Sequence, residues 1–140
     1  MLKKKGRSVH RLRRAAAVVE MAVVTPLLLT ILFGIIEYGW VFMIKQTMTN
    51  AAREGCRVAT LQGSTDSQIT GTISSYLSGT GLNAADYDVT LTRATGSANP
   101  LEKVVIQVYY SRISLLGGFF PHPTDWRIGS TCTMRKEGIP

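Results

Sequence analysis

Two carboxylates and two thiols stand out among the residues able to do chemistry. Glu20 and Glu37 are the only charged residues between Ala15 and Ile44, a stretch that is otherwise apolar, small or uncharged. A carboxylate inside a membrane-spanning helix costs roughly 2.5 to 3.5 kcal/mol on insertion scales, so it needs a cation or hydrogen-bond donors nearby. Arg13 and Arg14 supply cations if Glu20 lies at the headgroup edge. Glu37 falls about 26 Å further along a helix axis and about 100° around it, so the two carboxylates do not form an acid/base pair. Cys56 and Cys132 could close a disulfide in an oxidising compartment, worth about 4.5 kcal/mol for a loop of that length in the chain-entropy model. Two unrelated buried thiols remain the alternative. Two Cys and two His at these spacings match no standard metal-ligand set, so neither a metal nor another cofactor is expected. Scattered Ser and Thr without a partnered His or Lys give no nucleophile constellation, and the chain is read as having no catalytic activity.

The elements that position these groups begin with a basic leader. Seven of the sixteen Lys and Arg precede Ala15 (Lys3, Lys4, Lys5, Arg7, Arg11, Arg13, Arg14), and no acid accompanies them. The other nine basic residues are balanced by nine acidic ones, so the leader carries the whole formal charge of +7. From Ala15 to Ile44 the helix is apolar on every face and exceeds the roughly 20 residues that cross a bilayer core of about 30 Å. Its small residues precede the apolar run, the reverse of a secretory signal, so the segment should outlive any cleavage. Lys and Arg bias keeps the N-terminus cytoplasmic and places the chain beyond about Ile44 across the membrane. Attraction of the leader to anionic lipid accounts for its charge without a nucleic-acid partner, and the leader has no aromatics with which to stack bases.

Ala15, four residues and then Glu20 resemble the type III signal of bacterial prepilins. That resemblance implies cleavage between Ala15 and Ala16 by a membrane prepilin peptidase. Glu20 would become the fifth mature residue and set assembly register by meeting the new α-amino group of a neighbouring subunit. Pairing would relieve two charges that are each unfavourable in lipid. The longer pattern, Arg13-Arg14, the alanine run, Val18-Val19-Glu20, Pro26-Leu27-Leu28-Leu29, Gly34-Ile35-Ile36-Glu37-Tyr38-Gly39 and Ala51-Ala52-Arg53-Glu54-Gly55, resembles the TadE-like family. The ending Met134-Arg135-Lys136-Glu137 is similar to that family's as well. Members are pseudopilins or minor pilins of the Tad (tight adherence, or Flp) pilus. The resemblance implies pilin-like subunits and Tad machinery as partners and a single-pass protein of the bacterial inner membrane. Its domain would be periplasmic or extracellular, and its role would lie in pilus assembly and adhesion. An uncleaved, membrane-anchored accessory scaffold is the alternative reading.

The residues also predict a helix kink at Pro26, which lacks a backbone donor and crowds the carbonyl of Ala22. Glu37, Tyr38 and Trp40 together read as the outer membrane interface. After Ile44, Met48, Ala51, Ala52, Gly55, Cys56 and Ala59 form a small-residue stripe on which a globular part could dock, opposite Arg53, Glu54 and Arg57. One helix should therefore run over about 16–62, transmembrane over about 16–44, after a leader at 1–15 and before an α+β domain at 63–140. Asp66 is placed to cap a second helix with Ile69, Ile73, Tyr76 and Leu77 inward, ending at Ser78-Gly79. Alternation in Tyr87–Leu91, Val104–Tyr110 and Trp126–Met134 predicts a three-stranded antiparallel sheet. The expected fold is thus α+β and pilin-like: a long transmembrane helix leading into a small domain of one helix and one sheet. The apolar loop from Arg112 to Asp125 fits either a cover over the sheet or a contact with membrane or partner.

Overall fold

The computed structural model describes residues 6–96, 100–117, 123 and 125–136, with side chains from Arg13 onward. Lys3, Lys4 and Lys5 of the leader, Phe119 to His122 of the apolar loop and Glu137 lie outside the described residues. The elements are α1 (Gly6–Thr60), α2 (Asp66–Ser78), β1 (Tyr87–Thr92), β2 (Leu101–Tyr109), α3 (Tyr110–Ile113) and β3 (Arg127–Arg135). The chain divides into two compact units, Met1–Tyr38 and Gly39–Pro140.

The first unit contributes the apolar part of α1. Val18, Val23, Leu27, Leu28, Ile31 and Ile35 are each more than half exposed. Monomeric soluble proteins rarely leave so continuous an apolar surface open, because its burial is the main force that holds a helix in place in water. The α-helix is continuous through Pro26, whose carbonyl accepts the Thr30 hydroxyl at 2.8 Å.

The second unit is an α+β domain, as the pattern of its residues requires. β2 lies between β1 and β3, and both pairings are antiparallel, with Val89 opposite Ile106 and Val104 opposite Cys132. Period-two alternation puts Val104, Ile106 and Val108 into the core and leaves Lys103 and the Thr90 and Thr92 side chains outward. The stripe on α1 is buried as its residue sizes imply: Met48, Ala51, Ala52, Cys56 and Ala59 are all at most 1% exposed. Ile69, Ile73 and Leu77 of α2 complete this core. α2 packs so closely on α1 that a Cβ built on Gly55 would sit 2.9 Å from Ile73 Cγ1.

Three local expectations change. The cap of α2 is Thr65, with Asp66 as the first helical residue: Thr65 Oγ1 accepts from the Gln68 amide and the Gln68 side chain accepts from the Thr65 amide. This reciprocal box satisfies two orphan donors where an Asp66 cap would satisfy one. Tyr76 is 45% exposed, because Ile73 and Leu77 already fill the face that meets α1. Trp126 precedes β3; it stacks on Tyr110 with ring centroids 4.8 Å apart, and its carbonyl accepts the Tyr110 amide at 2.9 Å. That contact goes with the short α3, which the loop-like sequence after Tyr110 did not announce.

Candidate functional site

Among the described residues, α1 supplies the single helix long and apolar enough to cross a membrane. Ala15, Ala16 and Glu20 all lie within α1 and are exposed. Helix geometry separates Glu20 from Glu37 by about 26 Å, so the structure does not bring the two carboxylates together. Glu37 is 2% exposed, whereas Tyr38 beside it is 70% exposed. Trp40 is half-buried, and its Nε1 donates to the carbonyl of Ile113 at 2.8 Å. The indole thus ties α1 to α3 within the domain.

Further polar contacts hold α1 to β3. Lys45 Nζ donates to the Gly129 carbonyl, and the hydroxyls of Thr49 and Ser130 are 2.9 Å apart. Lys45 and Thr49 are one helical turn apart, so they meet neighbouring residues of the strand from one face of α1. The small stripe lets the sheet come near enough for these short bonds.

Cys56 and Cys132 are brought together in the core, both as free thiols. Cys56 Sγ donates to the Glu102 carbonyl at 3.9 Å. Burial, followed by the hydrogen bond and charge of the neighbouring Cys132 thiol, pushes the Cys56 thiol up to about 12. Such a thiol is inert as a nucleophile at neutral pH. On the solvent face, Arg57 Nε donates to both carboxylate oxygens of Glu54, at 2.9 and 3.0 Å, and holds that carboxyl below its usual range.

A buried ion cluster was not anticipated. Glu102 is 1% exposed; Arg93 Nε lies 3.1 Å from its Oε2, and Lys136 Nζ is 3.2 Å from Oε1. Oε2 accepts no hydrogen bond, so the Arg93 contact is an ion pair without donor alignment. The same guanidinium reaches Asp66 at 2.9 Å and the Ser64 carbonyl and hydroxyl at 3.0 Å, which binds the α1–α2 turn to the sheet. A signal for it existed: Glu102 has the parity of Val104, Ile106 and Val108, so it must point inward. Among the described residues no group of three or more His, Cys, Asp or Glu could hold a metal ion. The cluster's two cations pair with its buried carboxylate, and the arrangement is suited to joining elements.

A family model described as TadE-like protein matches residues 15–57, under a third of the chain. The matched segment runs from the small residues through Glu20, Pro26 and Glu37 to the buried stripe at Ala51–Cys56. Comparisons with curated proteins and with solved structures found no match.

Proposed function

We propose that this chain, TadE-like over residues 15–57, is a pseudopilin or minor pilin that acts in the assembly of a Tad pilus. The family match and the apolar helix support reading it as a pilin-like, single-pass membrane protein of a pilus system. In the finer reading the basic leader stays in the cytoplasm, a prepilin peptidase cuts between Ala15 and Ala16, and the Gly39–Pro140 unit works outside the cytoplasmic membrane. The exposed apolar surface of α1 then has two successive environments, lipid before assembly and other pilin helices after it. Packing among such helices depends on close side-chain fit and on polar groups that find partners, because lipid is as apolar as the helices themselves.

The observation that carries this reading is Glu20, an exposed carboxylate on a helix whose neighbours Val18, Val19, Met21 and Val23 are exposed and apolar. In lipid it gains most from a cation delivered by another subunit, and the α-amino group freed at Ala16 is such a cation. Glu20→Ala should therefore insert normally and fail to co-assemble, with Glu20→Gln intermediate. Pulldown of the other pilin-like subunits from cells carrying only the variant reads this directly. Pili of normal number and composition in Glu20→Ala cells would refute the role. We further propose that Cys56 and Cys132 are joined in the working protein, where an oxidising compartment would favour the bond.

A further inference from the structure

We infer that a second copy of this chain extends the sheet, docking the edge of its β1 on the open edge of β3 with the two strands parallel. The inference goes beyond the assembly role proposed above and depends on neither Glu20 nor cleavage at Ala16.

The hydrogen-bond phase of the sheet fixes which backbone groups are open. The Tyr110 amide donates to the Trp126 carbonyl at 2.9 Å, and the Lys136 amide to the Pro100 carbonyl at 2.8 Å. Bonded pairs alternate along an antiparallel ladder, so between these two bonds the even-numbered residues of β2 and β3 bond each other. Thr131, Thr133 and Arg135 therefore turn their N–H and C=O groups away from β2. The odd-numbered residues of β2 serve β1, which leaves Tyr87, Val89 and Leu91 with backbone groups turned outward. Among the described residues no further strand joins either edge. Lys45 takes the Gly129 carbonyl, which blunts β3 at that end only.

The two edges fit each other on both faces of the sheet. On the core side, Val104, Ile106 and Val108 of the central strand are at most 1% exposed, whereas Val89, Leu91, Cys132 and Met134 on the edge strands are half-buried. The residues whose backbone faces the open edge carry solvent-side side chains in β3 and core-side ones in β1. In a parallel pair each bonding residue stands opposite a non-bonding one, so parallel docking keeps the core layers of both copies on one side. It sets Cys132 opposite Val89, Thr133 opposite Thr90 and Met134 opposite Leu91 of the second copy, and so covers the half-buried side chains of both edges. Antiparallel docking sets bonding residues opposite one another and would turn the second copy's core layer to the solvent side of the first.

Charge selects the same partner. On the solvent side β3 exposes Arg127 and Arg135, while β1 exposes Asp88, which lies 3.6 Å from Arg127 of its own sheet. Two β3 edges would join basic residues alone and two β1 edges acidic ones alone; β1 against β3 mixes the signs. The contact is heterologous, so it repeats from copy to copy with one polarity.

The test is disulfide cross-linking of full-length Thr90→Cys and Thr133→Cys chains that carry different tags and are co-expressed in one membrane. Both positions are exposed. Within one copy β2 separates them by two strand spacings, about 10 Å, too far for a bridge. After mild oxidation with copper phenanthroline the mixture should yield a dimer carrying both tags. Either variant alone, like the wild type with its native cysteines, should yield none, and a chain with both substitutions should give a ladder of dimers, trimers and longer forms. Lys103→Cys, on the same face of the central strand, measures chance collision. A mixed dimer that is absent, or no more abundant than the links Lys103→Cys makes, overturns the inference. Dimers from Thr133→Cys alone would place two β3 edges together and overturn it as well. The link is read whether or not the leader is cut, so its loss refutes this edge contact and leaves the reading of Glu20 standing.

Discussion

Replacing Gly55 by alanine isolates the close approach of α1 and α2. In an open helix Gly→Ala stabilises by about 1 kcal/mol, through lower backbone entropy in the unfolded chain. Gly71 on α2 is such a site, exposed and with nothing within 4 Å of a built Cβ. At Gly55 the same methyl would lie 2.9 Å from Ile73 Cγ1, 3.0 Å from its Cδ1 and 3.7 Å from Ile69 Cγ2. Both isoleucines are fully buried, so neither can swing into solvent. Overpacking of this kind costs about 1–3 kcal/mol, which exceeds the propensity gain and leaves Gly55→Ala destabilised by about 1 kcal/mol. Ile73→Ala alone costs about 2–5 kcal/mol but removes both Cγ1 and Cδ1, so Gly55→Ala in that background should be neutral or stabilising. The coupling in this double-mutant cycle should be about 1 kcal/mol or more. Thermal melts of the full chain in detergent micelles, followed by near-UV circular dichroism, would show the melting temperature fall for Gly55→Ala and rise for Gly71→Ala. If both variants gain equally, the two helices are not in the contact described.

Other perturbations test separate parts of the domain. Arg93→Ala strands the buried Glu102 with Lys136 as its remaining cation and should cost about 2–3 kcal/mol, measurable by urea unfolding. Arg93 also bonds Asp66 and Ser64, so Lys136→Ala should cost less, and no loss in Arg93→Ala would deny the cluster a structural role. For the reduced protein, the folded Cys56 thiol titrates near 12, well above an ordinary thiol. Its contribution is therefore fully present below about pH 8.5 and declines as pH rises from there toward 12, because only the unfolded chain releases the proton. Unfolding curves for Cys56→Ala should lack that alkaline slope. The same burial predicts that Cys56 resists maleimide until the fold opens; in protein from native membranes, the proposed bridge predicts that both thiols resist it until reductant is added. Labelling of both after denaturation alone would exclude the bridge.

Much of the domain was legible because its alternations are clean. Val104, Ile106 and Val108 could face only one way, and the small residues from Met48 to Ala59 could form only a docking face. The apolar segment with Glu20 was equally plain, since a helix apolar all round belongs in the core of a large protein or in a membrane, and a chain of 140 residues has little with which to cover it. Tertiary choices were less so. Thr65 outcompeted Asp66 as cap through Gln68, three residues on, and α3 depends on a stack between Tyr110 and Trp126, distant in sequence. Trp40, read as a membrane anchor from its place after the span, also serves the domain by bonding Ile113, a partner that local sequence does not name. Glu102 shows the opposite failure: its parity gives its direction, but nothing local names Arg93 and Lys136 as the partners that make an inward charge tolerable.

The most direct test of the pilin reading is the N-terminal sequence of the protein extracted from its native membranes, where the processing peptidase has had access to it. The account predicts a chain that begins at Ala16, which leaves the free amine that Glu20 requires. A chain that still carries the basic leader through Arg13-Arg14 would contradict the register mechanism and favour an uncleaved, membrane-anchored scaffold.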